Sequence, residues 1–365
     1  MPGPKACFQP PFCPNPKCDF HRKSKGWRFK RIGFYQRRVA PYRIQRFLCI
    51  HCHRSFSSQT FHTTYWLKRP ELLPALFWRV LSCSGYRQIA REFGVSPTTV
   101  LRQVARLGRH CWLVQEQHRP ARPLAEPLVI DGFESFEYSQ YWPLHLNTAV
   151  GARSHFLYAF TDAELRRKGR MTPPQRQRRA ELEARHGRPD PKSIEREMAE
   201  LVRLVVREPG AVEIRSDEHL AYPRAFRRLT GIKVTHKLTP STRPRTPQNP
   251  LFPANLLDLL IRHNGSNHKR ETIAFSKRRQ SAAERLAVLQ VWRNFMKPVS
   301  ERRRDATPAQ RLGLSARRWT IRDLLGRRRF VSRVGLPARI MRYYRREIET
   351  RQLPVNCGHT LRYAF

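Results

Sequence analysis

Acidic residues are scarce. The 365-residue chain holds 28 Asp and Glu against 71 Lys and Arg, a formal net charge of +43. A folded chain so short of its own counter-charge needs a polyanion nearby, and nucleic acid is the most abundant one in a cell. Long hydrophobic runs are missing as well. The best, Leu72 to Leu81, contains Arg79, and it is far shorter than the roughly 18–20 residues of a membrane helix. The opening residues, MPGPKACFQPP, lack the apolar stretch of a signal peptide. Neither a membrane-spanning nor a secreted protein is expected. An apolar fraction of 40% still suffices for a packed core, so disorder throughout is not expected. At ~150 residues per domain, the length suggests two or three domains.

The charge is uneven. Residues 1–70 carry 15 Lys and Arg and one acid, Asp19, and residues 301–365 carry 17 Arg and five acids. Residues 124–164 invert this, with six acids (Glu126, Asp131, Glu134, Glu137, Asp162 and Glu164) and one base, Arg153. Carboxylates gathered in a basic chain suit divalent cations, whose charge complements both the acids and a phosphate substrate.

Two cysteine pairs, Cys13/Cys18 and Cys49/Cys52, stand 30 residues apart. Between them, Trp27 to Tyr35 and Tyr42 to Leu48 partly alternate bulky apolar residues with Arg, Lys and Gln, as half-solvated strands do. Paired thiols flanking such strands predict a zinc ribbon, closed by thiolate coordination because so small a domain lacks a core of its own. Cys7, His21, His51 and His53 are possible substitute ligands. From Tyr86 to Val104 the pattern becomes helix, turn at Gly94, helix. Ser96 can cap the second helix and Pro97 start it. Thr98, Thr99, Arg102, Gln103 and Arg106 are then expected on the outer face of a DNA-recognition helix. Cys83 and Cys111 read as buried, apolar-like cysteines.

After a Pro-rich linker at 118–128 come Leu128 to Asp131, an apolar run ending in an acid, and two strand-like stretches, Leu144 to Gly151 and His155 to Phe160. A mixed-charge, weakly apolar segment at 164–208 reads as a helical insertion. Val212 to Asp217 is again a strand ending in an acid. Glu218 to Leu229 reads as a helix, Lys233 to Leu238 as a strand, Leu256 to Arg262 as a helix carrying Asp258, and Ser281 to Phe295 as another helix. If the first and fourth strands are neighbours in a mixed sheet, Asp131, Asp217 and Asp258 converge. Three such carboxylates stay ionised together only with metal, and two Mg²⁺ ions suit phosphodiester chemistry. Asp162 and Asp323, outside these strands and that helix, are expected to matter little. The Arg302–Arg304 and Arg327–Arg329 runs are expected to bind DNA backbone.

Several blocks in this order resemble the insertion-sequence transposases of the DDE type. They are the four cysteines followed by FSSQTF from Phe56, the helix-turn-helix around Gly94, IDGFESFEYSQY from Ile130, RKGRMTPPQ from Arg167, RSDEHLAYPRAF from Arg215 and NHKRETIAFS from Asn267. The resemblance implies a multidomain α/β chain. Its parts would be a zinc ribbon at 1–66, a helix-turn-helix domain at 67–120, an RNase H-like mixed sheet with helical insertion (164–209) at 121–300, and a basic C-terminal region at 301–365. It implies Asp131 and Asp217 as the first two metal ligands. The family's third acid is a helical glutamate upstream of a basic-Thr-Ile-x-Phe-Ser stretch. Asn255 stands near that place and Asp258 follows one turn later, so Asp258 is taken as the third ligand, with Glu271 as the alternative. His268, Lys269 and Arg270 are candidates for positioning phosphates. The family further implies structural Zn²⁺, catalytic Mg²⁺ that Mn²⁺ can replace, and double-stranded DNA (element ends and target) as partner. It also implies a homo-oligomer in the DNA complex, no membrane, and a cytoplasmic, nucleoid-associated prokaryotic location. An inactive, transposase-derived DNA-binding regulator is the alternative function.

Overall fold

The computed structural model describes residues 8–353 except 121, 122, 208, 270 and 304. Cys7, Arg270 and Arg304 therefore lie outside the described residues, as does the end of the C-terminal region. The chain opens with an antiparallel sheet in the order β1-β2-β3, made of β1 (Phe29–Gln36), β2 (Arg43–Cys49) and β3 (Ser55–Ser57). Phe47 is fully buried between Phe29 and Phe56, with ring centroids 5.5 and 5.4 Å away. That small aromatic cluster is most of what the ribbon can bury.

Three helices follow: α1 (Leu72–Val80), α2 (Tyr86–Glu92) and α3 (Pro97–Gln117). Gly94 turns the chain between the last two with a φ of +60°, a conformation that costs glycine little. Ser96 caps α3, its Oγ accepting from Thr99 N at 3.2 Å, with Pro97 in the first turn. With no proline after Pro97 until Pro120, α3 runs well past a recognition helix. Its residues from Gln103 to Gln115 are all buried.

A five-stranded mixed sheet comes next: β4 (Leu128–Phe136), β5 (Pro143–Gly151) and β6 (Leu157–Glu164), then, after α4 (Pro173–His186) and α5 (Ser193–Val206), β7 (Gly210–Ser216), α6 (Ala221–Phe226) and β8 (Ile232–Leu238). The order is β6-β5-β4-β7-β8, antiparallel from β4 to β6 and parallel from β4 through β7 to β8. The segment expected to be an insertion divides in two. Only Leu182 of α4 is buried. The apolar face of α5, with Met198, Leu201, Val202 and Val205, packs on β5 and β6. It is the crossover that two parallel strands require, and its dense charges had disguised that face.

Then follow α7 (Phe252–Asn264), lying on β4 and β5, and α8 (Arg279–Val291), which packs along α3 and continues as a π-helical turn at Trp292–Met296. Four short helices end the described chain: α9 (Pro308–Arg311), α10 (Ile321–Leu325), α11 (Val331–Val334) and α12 (Ala338–Tyr344). One apolar cluster runs from Leu67 in the helical region through the sheet to Ile348.

The C-terminal region is more than a basic tail. The backbone N–H of Arg328 donates to Phe61 O at 2.9 Å, and its guanidinium donates to Thr60 O at 3.2 Å. Arg333 covers the Phe12 ring at 3.8 Å, and Ser332 Oγ pairs with His21 Nε2 at 2.7 Å. Arg328 is thus drawn into packing and Arg329 is half-buried, while Arg327, Arg302 and Arg303 are exposed. Asp162 also departs from expectation. Its side chain is 3% exposed and ion-paired with Arg279 (3.2 Å) and Arg339 (2.9 Å), and it accepts from Tyr343 Oη. Burial pushes this carboxyl up, but Arg279, Arg339 and Tyr343 outweigh it and hold it low. Cys111 is fully buried, whereas Cys83 is only half-buried.

Candidate functional site

The ligand atoms of Cys13, Cys18, Cys49 and Cys52 all lie within 4.8 Å of one another, with Cys13 Sγ 3.6 Å from Cys52 Sγ. That is far beyond the ~2.05 Å of a disulfide. It is close to the sulfur spacing of a tetrahedral tetrathiolate with metal–sulfur bonds of about 2.3 Å. Local turns set the thiols: Cys18 N–H donates to Asn15 O at 3.0 Å and His53 N–H to Cys49 O at 3.0 Å. Trp27 Nε1 donates to Cys49 Sγ at 3.2 Å. Burial would raise the Cys49 thiol, but the Trp27 indole and the backbone N–H groups of Cys52 and His51 bring it down to about 7. The cluster fits a zinc site. His21 is not part of it: its Nδ1 pairs with Cys13 O at 2.8 Å.

The second assembly follows from strand register. β4 and β7 pair only at Leu128↔Ile214 and Val129↔Arg215. Beyond that point β4 continues along β5 to Phe136, while β7 ends at Ser216. The sheet therefore opens a notch just past Val129. Asp131 lies on one side of it, inside its strand rather than at the end as expected, and Asp217 follows the end of β7. Asp258, on α7, faces the same notch. All three line a cleft of about 670 Å³ together with Glu134, Arg243, Arg245, Asn255 and Arg262. Glu271 is exposed and lies outside the residues lining that cleft.

The aspartates of the cleft are buried and close enough to perturb one another. Burial pushes Asp131 up to about 6, against the Gly132 N–H that donates to its Oδ1 at 2.7 Å, and the nearby Asp217 pushes the same way. Burial, then Asp131, push Asp258 up to about 7, against Arg262 and Arg245. Asp258 Oδ1 is buried and has no hydrogen-bond partner. A buried carboxylate oxygen left without a donor is a place for a cation, so these residues fit a divalent metal. Among the described residues, only the four cysteines bring three or more ligand atoms within 4.8 Å of one another. The aspartates line an open cleft rather than a closed cage.

Beneath the cleft, the His145 ring presses on Gly132 so closely that a Cβ there would sit 2.0 Å from His145 Cε1. Burial lowers His145 to about 4, keeping it neutral, and its Nδ1 pairs with Asn147 Oδ1 at 2.7 Å. The Tyr222 ring, fully buried, stacks on His219 at 4.8 Å. Sequence reasoning overlooked His145, His219, Tyr222, Arg243, Arg245 and Arg262. His219 had a signal, two residues after Asp217. The two loop arginines lie in a Pro-rich stretch with no periodicity to place them.

On α3, Thr98 and Arg102 are exposed and Thr99 is half-buried. Gln103 and Arg106 are corrections: both are 7% exposed, and Arg106 donates to Tyr65 O, because the helix has entered the core by that point. His268 is another. It is buried against Ser135 Oγ at 3.2 Å, and burial, with Arg285 and Arg262, lowers it to about 3, so its ring is neutral. Lys269 is exposed.

No family model and no curated protein matches the chain. Among solved structures, a chain of the simian T-cell lymphotropic virus intasome in complex with PP2A regulatory subunit B56 gamma matches 67% of this chain and 76% of its own length. It does so at 16% identity and a TM-score of 0.24, a likeness that carries no argument about function.

Proposed function

We infer that this chain is a DNA strand-transfer enzyme of the DDE transposase kind, with an RNase H-like catalytic domain. The observation that carries this reading is the notch beside β4, where Asp131, Asp217 and Asp258 share one cleft with Arg243, Arg245 and Arg262. The strand order, three antiparallel strands followed by two parallel ones, supports it. So do the tetrathiolate cluster, the exposed Thr98 and Arg102, and the charge of +43.

In this reading the three aspartates hold Mg²⁺ or Mn²⁺. Such ions supply the charge that lets an oxygen nucleophile attack a phosphodiester and that stabilises the leaving oxygen. Arg243, Arg245 and Arg262 hold the DNA phosphates against the aspartates. Neutral His145 packs under Gly132 and fixes the strand that carries Asp131. Zinc closes the ribbon, and the α2–α3 unit reads the ends of the element. Joining two ends calls for at least two copies of the chain in the DNA complex.

The test is a joining assay on duplexes copied from the DNA that flanks the coding region. Mg²⁺-dependent strand transfer is expected, lost in Asp131→Asn, Asp217→Asn and Asp258→Asn while end binding persists. Arg102→Ala should reduce preference for those ends over random DNA by about tenfold, the scale of one base contact. Specific end binding without any joining would favour the regulator.

A further inference from the structure

A second cavity lies on the zinc ribbon. It encloses about 520 Å³, within the ~300–1,000 Å³ usual for ligand sites. Tyr35, Arg37, Arg46, Arg54, Gln59 and Trp66 line it, and no carboxylate does among the described residues. Two of its lining residues carry buried polar atoms without partners. Gln59 is 3% exposed, yet its Oε1 has no hydrogen-bond partner. Arg37 is anchored by one nitrogen, which donates to Leu67 O at 3.0 Å, while its buried Nη1 has no partner. Buried polar atoms are rarely left so. The rim is aromatic and basic. Trp66 is 62% exposed and Tyr35 39%. Trp66 has a φ of +60°, a left-handed backbone that is unusual for a bulky residue, and its ring meets that of Tyr65 edge-on with centroids 6.0 Å apart. Arg46 and Arg54 are exposed beside it.

We propose that this cavity binds one unpaired DNA nucleotide. The base stacks on Trp66 and Tyr35, its polar edge meets Gln59 and Arg37, and Arg46 and Arg54 take the flanking phosphates. A phosphate-only site would need neither the stacking rings nor a buried amide. An apolar ligand would leave Gln59 and Arg37 unpaired. Aromatic stacking combined with basic residues is how single strands are held without base pairing. The proposal rests on the DNA reading above, and it extends that reading to a substrate feature, a frayed or tailed end.

The experiment compares binding of the full chain, by fluorescence anisotropy, to three labelled probes. They are a blunt duplex, the same duplex with a short unpaired deoxycytidine tail, and the same duplex with an abasic tail. The deoxycytidine tail should raise affinity about tenfold over blunt, on the scale of one stacked base, and the abasic tail should not. Trp66→Ala, at an exposed ring, should remove the gain and leave blunt binding unchanged. Gln59→Met should do the same if it folds, with zinc content as the check. Equal affinity for blunt and tailed probes overturns the proposal, as does a gain that the abasic tail or Trp66→Ala retains. Blunt binding without a tail preference defeats this site alone. No binding to any probe defeats the DNA reading with it.

Discussion

In the ribbon, four sulfur atoms lie within 4.8 Å of one another and three of the four cysteines are buried. In the cleft, three carboxylates line about 670 Å³ of open space, and one buried oxygen among them has no partner. Both sites suit cations, but the first gathers four ligand atoms around one point and the second is an open cleft. The difference follows from what surrounds each. The ribbon buries little beyond a few aromatic rings, so its fold depends on its ligands. The cleft is cut into a sheet already held by a large core, so its acids can be poorly satisfied without unfolding anything.

The largest effect expected is on the ribbon. Cys49→Ser, or strong chelation, should release the metal and forfeit binding free energy on the order of 10 kcal/mol. Metal analysis and amide exchange should show residues 8–61 unprotected, with Phe330 and Arg333 losing their seat on Phe12. A purified protein without zinc and with a folded ribbon would erase the distinction drawn between the sites.

The cleft should behave oppositely. Asp131→Asn and Asp258→Asn should lower joining by at least about 100-fold, since even partners one step removed from a metal cost 10–100-fold. Their melting temperatures should hold or rise by about 2–4 °C in metal-free buffer, because a crowded buried charge is removed. A large fall in melting temperature would make these aspartates structural, like the cysteines.

Asp162 sharpens the comparison as an acid that works without metal. Asp162→Asn strips a buried carboxylate from Arg279, Arg339 and Tyr343 and should cost about 3–5 kcal/mol, measured by denaturant unfolding. A pH-dependent effect concerns His110. Burial lowers it to about 4, and one ring nitrogen pairs with Leu324 O at 2.8 Å. The unfolded chain takes up this proton at about 6.5, so the stabilisation is complete above that pH and is lost as pH falls toward 4. The loss amounts to about 3 kcal/mol. Unfolding free energies of the parent and His110→Gln, measured against pH, should converge over that window.

Features carried by short-range spacing were legible. The cysteine pairs, Ser96-Pro97 with Gly94, and the apolar runs before Asp131 and Asp217 each depend on neighbours within a turn or a strand. Features set by which surface a helix meets were not. Thr98 and Arg102, expected on the outer face, are exposed. Gln103 and Arg106, expected there too, are buried, because nothing in the period of α3 announces that α8 and the C-terminal helices cover it. The same holds for Arg328, whose triplet looks like solvent-facing charge until Thr60 and Phe61 accept its donors.

The sequence by itself determined the ligand chemistry of this protein: thiols in two close pairs, carboxylates beside buried strands, and a surplus of guanidinium groups. Those are properties of residue type and local period. The tertiary structure decided which of them meet. Pairing β4 with β7 for only two residues opens the notch, α7 brings Asp258 to it, and the loop after β8 adds Arg243 and Arg245. Such meetings depend on register and packing between segments far apart in the sequence, and no local pattern encodes them.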